Sequence, residues 1–340
     1  MKTLTSTVTL IVPELNPPDQ NPLGAEHEAG TGRLPPLTRL ARLAGRGSVL
    51  KRQIEAGRGA LHAAVLDALQ LRDAADQYPS AAVIRTGATG ERAIGFWLRA
   101  QPIHFAAGLD RLTTIPLHGA ARMSAAERAA LSPTLADHLQ STGIQLHEGA
   151  DGEWLLRSEE PLQVQTVTPE FAAENPRADI LPTGRDAGSL RRLMTEMQML
   201  LHDHPVNRSR ERRGLPAMNA IWVHGEGMLS DVTPQSLPEA SGDDVYLQGI
   251  YRLHGLPVQP KSADAASLLT RIAGPTVAII DPPDLRALET NWLEPLSRAL
   301  LRGAISNLTV LFDGWRIDTD RAAMFKFWRR PLPPANWAAC

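Results

Sequence analysis

Two short runs near the end of the chain, TVAII at Thr276–Ile280 and LTVLF at Leu308–Phe312, constrain the fold more than any other feature. Strands whose side chains are apolar throughout must be covered on both faces, and the amphipathic stretch Leu285–Leu301 between them has the length of a crossover helix. Two such strands joined by a helix pair in parallel within a layered α/β core. Thr7–Val12 is a third β-rich run. All three lead into acids: Asp281 and Asp284 after the first, Asp313 after the second, and Glu14 after Thr7–Val12.

In open α/β sheets, ligands bind outside the carboxyl ends of the strands. Glu14, Asp281, Asp284 and Asp313 have two readings there. Brought together, they hold a divalent cation through oxygen or perform acid–base work. Alternatively they are turn and N-cap residues, which Asp favours for its short acceptor side chain.

The bulk numbers narrow the partners. The 340 residues are 43 % hydrophobic, enough for a sizeable core, and 35 Lys and Arg against 37 Asp and Glu leave a net charge of −2. No global field draws such a chain to nucleic acid or to an anionic membrane, so any anion site is local. The only cysteine is Cys340, which excludes an intramolecular disulfide and a cysteine zinc site and fits a reducing compartment. The opening MKTLTSTVTLIVPELNPPD breaks its apolar run too early for a secretory segment, and no stretch approaches the ~18 apolar residues of a membrane helix. The expectation is a soluble, cytoplasmic protein.

Along the chain, Pro36 opens a helix over PLTRLARLAGRG, Leu50–Leu71 reads as another helix, and AAVIRTGATGERAIGFWLRAQPIHFAA as two or three strands with Gly turns. Ser124 and Glu127 have capping-box spacing, with Pro133 breaking or restarting the helix they begin. GIQLHEG and EWLLRS form a strand pair. Leu190, Leu193, Met194, Met197, Leu200 and Leu201 mark a helix over Ala187–His202. AMNAIWVHGEG is a strand entering a Gly-x-Gly loop, and DDVYLQGIYRLHGLPV a strand leading into a short helix. The division is 1–50 and 186–340 as two parts of one α/β core, with 51–185 an inserted α+β region.

The segment LHDHPVNRSRERRGLPAMNAIWVHGEG resembles the archaeal-type, cofactor-independent phosphoglycerate mutases, where a helix runs into His-Pro-(Val/Ile)-Asn, an Arg, a Gly, Pro-Ala-Asn and Trp-x-Trp-Gly-x-Gly. TLIVPELNPPDQ, LPPLTRLARLAGRG, HFAAGLDRLTTIPLHGAARMSAAERAAL, VYLQGIYRLHGLPV, AIIDPPDLRALE and VLFDGW are similar to other parts of that family. EMQMLLHDHPVNRSRE is closer still to the RpfE-type group of proteobacterial regulatory or mutase-like proteins. The resemblance implies an alkaline-phosphatase-like fold, with a central, largely parallel sheet and helices on both faces.

The departures bear on function. The family's nucleophile and two metals imply Ser or Thr, Asp and His, but its opening Asp-Gly is here Glu14-Leu15. The nucleophile position falls near His27 or Glu28, with Thr31 the nearest hydroxyl. Pro-Asp-x-x-Gly-His reads Pro283, Asp284, Leu285, Arg286, Ala287, Leu288; Asp-His reads Asp313-Gly314; and no histidine follows His254. Without nucleophile and imidazoles, the covalent phosphoenzyme and two-metal routes are lost. No cofactor is expected; if the carboxylates hold a metal, it is Mg²⁺ or Mn²⁺.

What the chain keeps is His204, Asn207, Arg210, Asn219, Gly225 and Gly227. One reading is a surface for a small phosphorylated or carboxylated ligand, held by the Arg210 fork and loop N–H groups. The other is structural: helix ends, turns and positive φ. The tail MFKFWRRPLPPANWAAC is either a docking peptide for a protein partner or a packed terminus. These features point to a catalytically degenerate regulatory or ligand-binding protein, with an active metal-dependent phosphomutase or phosphatase as the rival.

Overall fold

The computed structural model of the chain describes residues 6–13, 38–107, 112–149, 153–175, 179–233, 235–312 and 314–339. It begins with β1 (Thr7–Val12), α1 (Thr38–Arg46), β2 (Ser48–Lys51), α2 (Ala60–Ala68) and α3 (Ser80–Thr89). There follow β3 (Phe96–Ala107), β4 (Leu112–Pro116), α4 (Ala125–Gln140), β5 (Ile144–Glu148), β6 (Trp154–Ser158), α5 (Pro169–Glu174), α6 (Ala187–His202), α7 (Pro205–Arg212) and β7 (Ala220–Gly227). The chain then continues with β8 (Glu239–Ser241), α8 (Val245–Leu253), α9 (Ala265–Arg271), β9 (Thr276–Ile279) and α10 (Leu285–Ala287). It ends with α11 (Glu294–Arg302), β10 (Asn307–Phe312), β11 (Trp315–Asp320) and α12 (Arg321–Met324).

The first sheet has the order β2-β11-β10-β1-β9-β8. Its four strands β10, β1, β9 and β8 are parallel; β11 pairs antiparallel with β10, and β2 antiparallel with β11. The runs TVAII and LTVLF are thus parallel but not neighbours: β1 lies between them, with Val8 opposite both Thr276 and Leu308. Alternation along the strands feeds two cores. Val8, Leu10, Val12, Ala278 and Val310 face α1, α9 and α11. Ile11, Val277, Ile279 and Leu311 face α2, α3 and α8. The chain is a mixed α/β protein with helices on both faces of a multi-strand sheet. Each such aliphatic side chain contributes about 1.5–3 kcal/mol by burial.

The helix over Leu285–Leu301 is present, with a π-helical turn at Leu288–Leu293 joining α10 to α11. Its Glu289 carboxylate accepts from the N–H groups of Arg39 (2.8 Å) and Leu40 (3.1 Å), fixing the free start of α1 against the crossover.

The second sheet, β4-β3-β6-β5, is antiparallel, and β7 pairs with the other edge of β3. Leu131, Leu135 and Leu139 of α4 and Leu190, Leu193 and Met197 of α6 cover one face. Residues 187–227, expected with the core, therefore pack on this sheet instead, because β7 finds its hydrogen-bonding partner in β3.

Several local expectations change. Ser80–Thr89 is a helix, not a strand, because its Ala81, Ala82, Val83 and Ile84 are buried in the helical layer. Its Gly87 is no turn either: α3 and α8 cross so closely that a Cβ on Gly87 would lie 1.9 Å from the Val245 carbonyl, and one on Gly249 2.1 Å from that of Val83. The helix expected over Leu50–Leu71 shrinks to α2 behind an edge strand, as Gly57 and Gly59 hold the intervening turn. Pro133 lies inside an unbroken α4, on its exposed side together with Ala129, whose carbonyl loses its partner there. The strand expected before the short helix is the earlier β8; Asp244 caps α8 by accepting from the Leu247 N–H at 2.8 Å.

No helix among the described residues is long and apolar enough to cross a membrane.

Candidate functional site

The parallel strands bring their carboxyl ends to one edge, where Val12 lies opposite Phe312 and Ile11 opposite Ile279. Glu14 and Asp313 follow these strands and lie outside the described residues. Asp281 follows β9 and is exposed, its Oδ2 3.5 Å from the Lys261 ammonium. Asp284 caps α10, accepting from the Ala287 N–H at 2.7 Å.

A cleft of about 310 Å³ opens at this edge, lined by Asp243, Lys261, Asp281, Asn291 and Trp292. Asp243 follows β8, and its carboxylate accepts from the Lys261 N–H at 3.3 Å. Asp243, Lys261 and Asn291 were not singled out from the sequence, since a three-residue strand has no periodic signal; the usable clue was Asp243 in a polar turn before a helix. Among the described residues, no group of three or more His, Cys, Asp or Glu side chains is close enough to hold a metal ion.

The segment His204–Gly227 is tied into the fold by its own side chains. Arg210 is wholly buried. It donates to Glu127 Oε2 at 3.0 Å, to the Pro216 carbonyl at 2.8 Å and to the Ala121 carbonyl. Glu127 completes the capping box with Ser124 and takes Arg213 as well. Burial alone would raise its carboxyl pKa, but the Ser124 N–H, Arg213 and Arg210 outweigh that and hold it below the ordinary value.

Asn207 donates to the Leu201 (2.8 Å) and Met218 (3.0 Å) carbonyls and accepts from the Met218 N–H (2.8 Å). Asn219 clasps Phe105, accepting from its N–H at 2.6 Å and donating to its carbonyl at 2.9 Å. His204 caps α7, Nδ1 accepting from the Val206 N–H at 3.3 Å. His202 and Asp203 are exposed, and Arg208 donates to the Asp203 carbonyl at 3.1 Å, serving the end of α6.

Gly225 (φ +67°) and Gly227 (φ +147°) form no open nest. A Cβ there would meet Ser80 Oγ at 2.2 Å and Pro79 Cβ at 2.4 Å, so both let β7 press on the start of α3. Arg210, Asn207, Asn219 and His204 thus make these bonds within the chain, and Gly225 and Gly227 pack against the start of α3.

Three further titratable side chains, Arg99, His62 and His224, are half-buried or buried. Arg99 grips Glu153 through two bonds of 2.8 and 2.9 Å. Burial would lower its pKa, but the Glu153 carboxylate raises it. His62 stacks on Tyr246 at 4.1 Å between centroids, and His224 is buried. Both imidazoles are pushed well below their ordinary pKa, first by burial and then by cationic neighbours, Arg99 among them.

The fold and its edge define a mixed α/β protein with a polar cleft at the carboxyl ends of parallel strands. No family model matches the chain. It is similar over 52 residues, at 46 % identity, to a 2,3-bisphosphoglycerate-independent phosphoglycerate mutase of Methanothrix thermoacetophila, over 15 % of this chain and 13 % of that protein. The protein of the same description from Methanopyrus kandleri is 33 % identical over 99 residues, 26 % of this chain and 24 % of its own length. The matches thus span a quarter or less of these curated relatives. Among solved structures, a cofactor-independent phosphoglycerate mutase from Thermoplasma acidophilum aligns at a TM-score of 0.42 and 15 % identity, covering 99 % of this chain and 95 % of that one. The PH0037 protein from Pyrococcus horikoshii aligns at 0.41 and 14 %, covering 93 % and 88 %.

Proposed function

We propose that the chain is a phosphoglycerate-mutase-like protein that binds a small phosphorylated or carboxylated hydroxy acid at the carboxyl edge without two-metal phosphoryl transfer, and so acts as a binding or regulatory protein. The observation that carries this reading is Lys261, whose ammonium stands 3.5 Å from Asp281 at the cleft. A fixed cation there attracts the anionic group of a ligand, while Asp243, Asp281 and Asn291 are suited to take its hydroxyl hydrogens. The short stretches of identity to 2,3-bisphosphoglycerate-independent phosphoglycerate mutases support the ligand class, and the absence of histidine after His254 supports the loss of the metal chemistry.

A second reading, an active phosphomutase or phosphatase, is favoured by one observation: β1, β9 and β10 end in register at one edge, where the exposed Asp281 carboxylate follows β9.

Calorimetric titration with 3-phosphoglycerate, with and without chelator, tests both. Binding that survives chelator and falls at least about tenfold in Lys261→Ala, a cost of about 1.4 kcal/mol, supports the first reading. Mn²⁺- or Mg²⁺-dependent isomerisation or p-nitrophenyl phosphate hydrolysis, abolished by Asp313→Ala, replaces it with the second.

A further inference from the structure

The sequence is nearly neutral, yet its cations are not spread evenly. Arg39, Arg42 and Arg46 of α1 and Arg298 of α11 rim a groove of about 170 Å³ whose apolar side is made by Leu43, Leu301 and Met324. Its lining has one acid, Glu294, which is tied to Arg39 and Arg298. Directly after Met324 the chain turns outward with Phe325, Phe327 and Trp328 exposed by 56, 79 and 69 %. Phe327 and Trp328 meet edge to face at 5.3 Å, and exposed Arg329 and Arg330 follow.

This turn is held at both ends. Arg46 donates to the Met324 carbonyl at 3.1 Å, and the Leu332 N–H to the Ala41 carbonyl at 2.8 Å. Trp337 is buried against Phe312 and Trp315. The tail is therefore a packed strap, and its aromatic side chains are presented to solvent by a fixed backbone. Large exposed aromatics beside arginines are the composition of an interface centre.

We propose that this face docks an acidic segment of another protein that also carries apolar side chains. Guanidinium forks match carboxylates two bonds at a time. The groove behind them is concave and apolar on one side, so it accepts side chains of a peptide, which a flat bilayer cannot insert and a phosphate backbone does not have.

The test uses the full chain and a fluorescein-labelled amphipathic peptide of Glu and Leu at helical spacing, followed by anisotropy, with a counterpart carrying Lys for Glu. Saturable binding is expected for the Glu peptide alone. It should weaken with salt and fall at least about tenfold in Trp328→Ala and in Arg42→Glu/Arg298→Glu. Circular dichroism melts of the variants confirm that they fold. The proposal is overturned if the Glu peptide does not bind, if the Lys counterpart binds as well, or if the folded variants bind unchanged. Two other results also overturn it: Trp328-dependent sedimentation with phosphatidylglycerol vesicles in place of peptide binding makes the face a bilayer surface, and a Trp328-dependent dimer in sedimentation velocity gives it to a second copy.

Discussion

Replacing Arg210 by Met separates the two roles its sequence context allows. Met fills the space of the stem but leaves Glu127 without its buried partner and the Pro216 and Ala121 carbonyls without donors. Removing one member of a buried pair costs about 3–5 kcal/mol. Glu127 retains Arg213 and Ser124, which puts this part near the lower end, about 3 kcal/mol. Each stranded carbonyl adds about 1 kcal/mol. The sum, about 5 kcal/mol, corresponds to a fall of about 1.7 M in the urea midpoint for a slope of about 3 kcal/mol per M. Far-UV circular dichroism reads this directly. The defect should also depend on pH. Because the folded pKa of Glu127 is lowered, its contribution is fully present above the unfolded value of about 4.3 and is lost as pH falls through the folded value. The gap between parent and variant therefore narrows in acid. An unchanged midpoint together with lost 3-phosphoglycerate binding would refute the strut argument and return Arg210 to the ligand.

His62 and His224 are buried in their neutral forms, with folded pKa values well below those of the unfolded chain. The unfolded state therefore takes up more protons below about pH 6.5, and stability falls as pH drops, by up to about 1.4 kcal/mol per pH unit for each group. Urea midpoints between pH 7.5 and 5.5 should show this slope, and His224→Leu should flatten it. Trp337→Ala removes the buried anchor of the strap and should cost about 3–5 kcal/mol; thermal unfolding with no loss would leave the terminus without a packing role.

The parallel core was legible because TVAII and LTVLF are apolar almost throughout and are separated by a helix-length amphipathic stretch, a pattern that a two-sided covering explains. The helix Ala187–His202 and the Ser124–Glu127 box were legible for equally local reasons. Ser80–Thr89 was not, since Val83, Ile84 and Thr86 favour strands in isolation, and Gly87 looks like a turn until α8 crosses it. The site was harder still. Arg210 and Asn207 stand out chemically, but what they do is decided by Glu127, 83 residues earlier, and by Met218 beyond the next turn. A side chain that satisfies distant backbone and one that awaits a ligand carry the same letter.

The central strand of the core also sets a timetable. β1 is made first, yet both of its neighbours come from the last fifth of the chain: Thr7 pairs with Asn307, and Ser306 donates to a carbonyl 300 residues away. At about 5–20 residues per second, ribosomal synthesis separates these partners by roughly 15–60 s. The antiparallel sheet, complete by Gly227, has all its strands well before that. During the interval Val8, Leu10, Ile11 and Val12 have no sheet to enter, an apolar edge of the kind that pairs with other chains. The growing polypeptide thus carries an apolar segment without its sheet until β9 and β10 have been made.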